Sequence, residues 1–348
     1  MYDDPVLLEK IRQQFDSAPY PNTPLDSNPQ GKHDLLFIHS LVTPYYLRFQ
    51  QPTDTRGKVI LDAGCGSGYK SLVLAIANPG AKIVGIDLSH QSVDLAQKRL
   101  QYHGIDNAEF HVMPIEDLPS LGMKFDYINC DEVLYLFPKI ANALRVMKSV
   151  LTPQGIIRGN LHSALQRATH FRAQQLFSLM GLLDSNPEEM EVEIALDTMR
   201  SLKDVVDIKR KTYDRERYES DDKTHLVLMN YLFQGDKGYT IPELFSALRE
   251  ADLDFISMVN WRQWNLLELF KDPNDLPAFW AMSLPELSAE QKLQVFELMH
   301  PAHRLLDFWC THPNLPTPSP LSSWSDTDWQ KAVIHLHPVG SWQLLVIQ

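Results

Sequence analysis

Val59-Ile60-Leu61-Asp62-Ala63-Gly64-Cys65-Gly66-Ser67-Gly68-Tyr69-Lys70 is the stretch that decides the fold. An apolar run long enough for a strand ends in a carboxylate, and a turn follows with glycine at three alternate positions. Glycine lets the backbone bend sharply and lets a ligand lie against main-chain N–H groups with no Cβ in the way. The next apolar run, Ile83-Val84-Gly85-Ile86, ends in Asp87. A carboxylate about 20 residues beyond such a turn is placed to accept the two hydroxyls of a ribose.

Two nucleotide classes compete for this pattern. A dinucleotide fingerprint requires a third glycine where this chain has the bulky Tyr69. Asp62, just before the turn, suits a cationic amine and would repel a pyrophosphate. The stretch therefore points to a nucleoside that carries an amino acid.

Outward from this turn, short apolar strands alternate with amphipathic helices. The strands are Val59–Leu61, Ile83–Ile86, Phe110–Val112, Tyr127–Asn129 and Gly155–Ile157, with helices such as Ser92 to Tyr102 and Ile140 to Leu151 between them. Such alternation predicts a parallel sheet covered by helices on both faces, joined by right-handed crossovers.

Leu61 to Gly68 strongly resembles the first motif of the class I S-adenosylmethionine-dependent methyltransferases. Val84 to Ser89 resembles the second, Pro114 to Pro119 the adenine-side loop, Phe125 to Ile128 with Val133 to Leu136 the fourth, and Leu151 to Ile156 completes the order. The resemblance implies a Rossmann-like doubly wound α/β sheet that binds S-adenosylmethionine and releases S-adenosylhomocysteine. Gly64, Gly66 and Gly68, with Cys65 among them, would face the methionine part, Asp62 its amino group and Asp87 the ribose. Leu88 and Ile115 would sandwich the adenine, Glu116 would lie at its edge, and Cys130 and Asp131 beside the sulfonium. One departure is Pro114, where many members carry an aspartate for the adenine amino group, so Glu116 or backbone must substitute.

Methyl transfer is an in-line displacement that needs positioning and exclusion of water, with a base only where the acceptor must lose a proton. His162, after the fifth strand, is the foremost candidate, with Asp131 and Tyr135 beside it; Glu132 also lies near these strand ends. Tyr20 and Tyr46 sit on proline-bearing segments, Pro19-Tyr20-Pro21 and Pro44-Tyr45-Tyr46. In related methyltransferases an N-terminal aromatic segment closes over the cofactor, which implies that role for either tyrosine.

Four regions follow: an arm or lid over 1–52, the cofactor core over 53–163, a helical insertion over 164–238, and a C-terminal region over 239–348 that returns strands to the sheet. Val6, Leu7, Ile11 and Phe15 give the arm a helical rhythm. In the insertion, Ala173, Leu176, Phe177 and Met180 mark one helix face. Lys209 to Arg217 mixes charge signs, as a solvated face does. Thr240 and Pro242 start a new helix, Phe255 to Val259 forms a strand, and Trp342 to Ile347 is expected to close the sheet. All seven tryptophans fall between Trp261 and Trp342, which makes this region aromatic-rich and predicts core contacts there. The arm, the insertion and the restart at Tyr239 to Leu244 also resemble a bacterial methyltransferase subgroup with a so-called regulatory region, some relatives of which modify protein lysines.

A net charge of −12 works against nucleic acid, because phosphate binding runs on Lys and Arg. Three scattered cysteines suit a reducing compartment, no stretch matches a leader or membrane span, and no His or Cys spacing matches a zinc site, so a cytoplasmic protein without a resident metal is expected. The sequence thus predicts a methyltransferase acting on a small or medium-sized acceptor. Two other functions stay open: methylation of protein lysines, and a noncatalytic regulatory protein that binds the cofactor.

Overall fold

The computed structural model describes residues 20–316 without interruption, together with residues 9, 10, 12, 13, 16, 318, 319, 323–333 and 335–337. The helical rhythm read from Val6, Leu7, Ile11 and Phe15 and the strand expected from Trp342 to Ile347 lie outside the described residues.

The five expected strands form, in longer versions, as β1 (Val59–Ala63), β2 (Lys82–Asp87), β3 (Ala108–Val112), β4 (Phe125–Cys130) and β5 (Leu151–Ser163). They lie parallel in the order β3-β2-β1-β4-β5. Beyond β5 the sheet continues through β8 (Leu305–Thr311) to β7 (Asp254–Met258). β8 runs antiparallel to both neighbours. The sheet therefore resumes after the insertion, as expected. The strand inserted between β5 and β7 comes from 305–311, a run whose apolar rhythm is interrupted by Asp307.

Side chains alternate across the sheet, as the pleat requires. Leu61, Val84, Ile128, Ile157 and Phe308 join one core, and Ile60, Ile83, Tyr127, Ile156 and Trp309 join another on the opposite face. The second face is covered by α1 (His33–His39), α2 (Val42–Phe49), α3 (Tyr69–Ala77) and α4 (His90–Tyr102). Opposite them pack α5 (Ile140–Ser149), α11 (Ile241–Glu250) and α13 (Ala289–Met299). Thr240 and Glu243 form a capping box at the start of α11, which explains why the chain re-enters helix at that point.

Between β5 and α11 the chain forms α6 (Ala168–Leu179), α7 (Glu189–Ser201), α8 (Asp207–Thr212), α9 (Arg215–Tyr218) and α10 (Lys223–Asn230). They enclose their own apolar cluster, in which Tyr213, Tyr218 and Tyr231 stack in sequence. Ala173 and Phe177 point into it, whereas Met180 lies past the end of α6 and is half exposed. α12 (Ala278–Ser283), on the same face as α5, α11 and α13, lies at the periphery with no buried residue.

β5 outlasts β4 by several residues, and the edge left open past β4 pairs with β6 (Gly238–Tyr239) at His162 and Ser163, while β8 still pairs with His162 on the other side. His162 thus belongs to the strand itself, on the overhang of β5 past β4.

None of the described tryptophans lines the two cavities below; Trp264 and Trp309 are buried in the core as expected, whereas Trp329 is half exposed. Trp309 is fully buried and donates its Nε1–H to the Tyr127 hydroxyl at 3.0 Å. Trp309→Ala should cost about 3–5 kcal/mol of stability, and Trp309→Phe, which keeps most of the bulk and loses the hydrogen bond, about 1–2 kcal/mol. Urea unfolding at constant m-value measures both, and equal losses in the two variants would contradict this packing.

Candidate active site

The glycine turn bends where the sequence placed it, and its tightness comes from contacts distant in the chain. Gly66 has φ +49, and a Cβ there would sit 2.1 Å from the Tyr20 carbonyl oxygen. At Gly64, φ +82, a Cβ would meet the Val133 side chain at 2.4 Å. The turn amides are engaged within the protein. Gly64 and Cys65 donate to the Ile86 carbonyl, both at 2.8 Å, Gly66 to Asp87 Oδ2 at 2.9 Å, and Ser67 to the Tyr20 carbonyl at 2.8 Å. These amides are thus committed to the following strand and to the arm.

A cavity of about 960 Å³, counting its open mouth, lies over this turn. Its lining contains Tyr20, Gly64, Cys65, Gly66, Asp87, Leu88, Ile115, Glu116 and Asp131 of the residues singled out from sequence, and Pro114 beside them. Leu88 and Ile115 supply apolar walls, with Met113 added. Asp87 is aimed by amides of Gly66 and Ser89, each at 2.9 Å, while burial pushes its carboxyl up.

Four expected residues stay off the wall. Asp62 is buried behind the turn, accepting from Ser71 Oγ at 2.6 Å and Asn129 Nδ2 at 2.8 Å, with its carboxyl pushed by burial to about 6. Gly68 caps α3 against Ala96, and Cys130 is fully buried in the sheet core. Tyr46 is half exposed on α2, next to Tyr45, whose hydroxyl bonds the Asp126 carbonyl near the start of β4, at the opposite end of the strands. Of the two aromatic arm residues, Tyr20 is the one at the cavity.

Asp131 is held at 2.6 Å by Lys70 and at 2.5 Å by Asn160 Nδ2, with His39 Nε2 at 3.4 Å and Arg158 at 3.8 Å. Burial raises its proton affinity, but the ammonium of Lys70 and the guanidinium of Arg158 outweigh it and hold the carboxyl well below the ordinary range. A carboxylate so compensated is a poor proton acceptor. Arg158 is paired in turn with Asp307 on β8 at 2.7 Å. His39 Nδ1 donates to the Leu35 carbonyl at 2.7 Å and its Nε2 accepts from Arg158 at 2.8 Å, a pattern only the neutral ring can satisfy.

A second cavity of about 1180 Å³ opens between the strand ends and α6 to α10. Tyr20 and Glu132 line both cavities. Glu132 takes φ +61, a costly conformation for a non-glycine residue, and is pinned by the Asn160 side chain at its amide and by Arg304 at 2.5 Å. The Tyr20 hydroxyl reaches it at 3.4 Å. His162 and Tyr135, their rings stacked at 3.9 Å, line the second cavity. His162 Nδ1 donates to Asp236 Oδ1 at 2.6 Å and Nε2 accepts from Arg304 at 3.1 Å. Burial lowers its affinity for a second proton more than Asp236 raises it.

Residues 54–225 match the family described as "Methyltransferase domain". This stretch, just under half of the chain, is a methyltransferase domain. An uncharacterized protein of Synechococcus is 26% identical over 334 residues, covering 96% of this chain and 77% of that protein. The ubiquinone biosynthesis O-methyltransferase of Coxiella burnetii is 31% identical over 129 residues, covering 37% of this chain and 53% of that enzyme. The solved structure of PKMT2 from Rickettsia typhi shares the fold at a TM-score of 0.63 and 19% identity, covering 82% of this chain and 54% of that one. The chain thus spans about half the length of the last two.

For this methyltransferase, sequence reasoning missed Lys70, Arg158, Asp236 and Arg304. Lys70 closes the quoted motif, and Arg158 was a signal in plain view, a cation amid Ile156-Ile157 in a core strand. Asp236 and Arg304 reach His162 from 74 and 142 residues away, with no local mark.

Two outcomes follow for the methyltransferase. Gly66→Ala should expel the Tyr20 segment from the turn and weaken S-adenosylhomocysteine binding by about tenfold or more, with far-ultraviolet circular dichroism unchanged. Unaltered affinity by calorimetry would contradict the contact. His39, ordinarily near 6.5 when unfolded, is held by burial at about 4, so its contribution to stability is present above pH 6.5 and lost as pH falls toward 4. The loss should approach about 3 kcal/mol. His39→Gln should flatten that part of the stability profile; parallel curves for wild type and variant would sink the assignment.

Proposed function

We propose that this chain transfers a methyl group to a small or medium-sized acceptor held in the second cavity. The single observation that carries the reading is the junction of the two cavities at Tyr20 and Glu132. A noncatalytic binding protein has no use for an acceptor-sized space beside its cofactor.

The residues fit the cofactor. The turn excludes a Cβ at Gly64 and Gly66, Asp87 presents an aimed carboxylate for the ribose, and Leu88 and Ile115 bound a slot for the adenine, with Glu116 at its edge. Bound there, S-adenosylmethionine supplies an electrophilic methyl group on a sulfonium. Asp131 and Lys70 would hold the methionine end as a neutral pair, and Asp62 would act on it through the field and through Ser71 and Asn129. Tyr20 closes the wall and excludes water from the junction.

His162 is the residue proposed to take a proton from a hydroxyl acceptor. Asp236 fixes its Nδ1 as the protonated nitrogen, which leaves the Nε2 lone pair for the acceptor once Arg304 turns wholly to Glu132. Tyr135 would position the imidazole by stacking. Asp131 is unsuited to that work, being tied to Lys70.

Methylation of a protein lysine is less well supported. An incoming ammonium needs an uncommitted carboxylate, yet Glu132 is paired with Arg304 and Asp214 caps α9 through the amides of Glu216 and Arg217. Nucleic acid is disfavoured by the net charge, and no helix among the described residues is long and apolar enough to cross a membrane. The cytoplasm is the proposed compartment, consistent with three buried free thiols.

Calorimetric titration with S-adenosylmethionine and S-adenosylhomocysteine tests the reading. Wild type should bind both, and Asp87→Ala, which removes the ribose acceptor, should lose about 2 kcal/mol or more of affinity. Failure of the wild type to bind either ligand refutes the proposal.

A further inference from the structure

Arg167 and His170 stand near the start of α6 and line the second cavity. Arg167 is only 2% exposed, and its Nε is buried without a partner. The rest of the guanidinium is engaged, Nη2 with Asp236 at 3.2 Å and Nη1 with Asn230 at 3.5 Å. Nδ1 of His170 is likewise buried and unpartnered. Burial holds this imidazole neutral, at about 4, so it can present Nδ1–H as a second donor. Arg167 immediately precedes α6 and His170 lies in its first turn, so both border the same side of the cavity. A buried donor left unpaired costs about 1–3 kcal/mol, and a ligand oxygen that meets it recovers that free energy.

The lining carries three guanidinium groups, on Arg167, Arg217 and Arg304; Asp236 compensates Arg167 from behind and Glu132 compensates Arg304, which leaves Arg217 with Asp214. Tyr135, Tyr218, Phe233, Leu226 and Met229 supply the apolar part of the remaining wall, which Gln166, Thr212 and Asn230 interrupt.

We propose that the second cavity selects an acceptor with a flat apolar body and one carboxylate, and that Arg167 Nε–H and His170 Nδ1–H each hold a carboxylate oxygen. This rests on the second cavity being the acceptor site. The aromatic residues receive the body, and the carboxylate takes up the two donors that have no partner in the protein. Arg167 and His170 are binding residues here and take no part in the transfer step.

Benzoate and its neutral isostere benzamide are the probes. Full-length protein saturated with S-adenosylhomocysteine is titrated with each, by calorimetry and by the histidine imidazole signals in heteronuclear magnetic resonance. Benzoate should bind at least about tenfold more tightly than benzamide and shift the signal that His170→Leu removes. Arg167→Lys keeps the positive charge beside Asp236 and removes the Nε–H, and it should weaken benzoate by about tenfold, as should His170→Leu, with S-adenosylhomocysteine affinity unchanged in both. Two variants guard against a folding defect in either. Equal affinity for the two probes, no benzoate binding, or benzoate binding indifferent to both variants overturns the proposal. Failure of the underlying reading registers separately, as absence of S-adenosylhomocysteine binding whatever benzoate does.

Discussion

Burying a guanidinium in the middle of a sheet costs several kcal/mol unless anions surround it. Arg158 is so buried, on the central strand β5, and the chain answers with Asp307 on one neighbouring strand and Asp131 at the end of the other. Lys70 from α3 and the neutral His39 from α1 complete the cluster. Five elements are thus tied together by charges that cannot be left unpaired. That constraint explains why β8 takes its antiparallel place beside β5 in a register that sets Asp307 near Arg158, and why the loop after β4 is rigid enough to hold Glu132 at a positive φ.

The cavities inherit their shape from this cluster. Asp131, fixed by it, lines the first; the next residue, Glu132, lines both; Arg304, just before β8, reaches back to Glu132 and His162. The wall between cofactor space and acceptor space is thus an ion pair continuous with the core of the sheet. The charged groups near the junction are compensated in pairs, which keeps a net charge from facing the place where a sulfonium would lie.

Much of this was legible in the sequence because it is local. The glycine turn, Asp87 at the end of β2, the Leu88 and Ile115 walls and the capped start at Thr240 each depend on residues adjacent in the chain, and they stand where the sequence put them. Legibility failed where tertiary contacts decided. Leu305 to Thr311 hid as a strand because Asp307 breaks its apolar rhythm, and Asp307 is there for Arg158. Asp62 carries the family's motif yet is screened by Ser71 and Asn129, one on the helix after the turn and one on the adjacent strand. Tyr20 and Tyr46 read alike, as aromatics beside proline, and only the course of the arm separates the one at the cavity from the one at the far end of the strands. His162 reads as a residue after a strand; its place on the overhang of β5 required β6, from 76 residues later, to be seen.

The segment at Tyr20 has a consequence for the order of events. Its carbonyl lies on Gly66 and Ser67, and its ring stacks on His225 of α10 at 5.1 Å, so one short stretch of backbone roofs the first cavity and walls the second. Any displacement wide enough to admit a nucleoside past Tyr20 also strips one side from the neighbouring chamber. Occupancy of the two chambers is therefore mechanically linked: the acceptor gains its complete enclosure only after the nucleoside is seated and the segment has returned, and exchange of the spent nucleoside unlatches whatever lies next door.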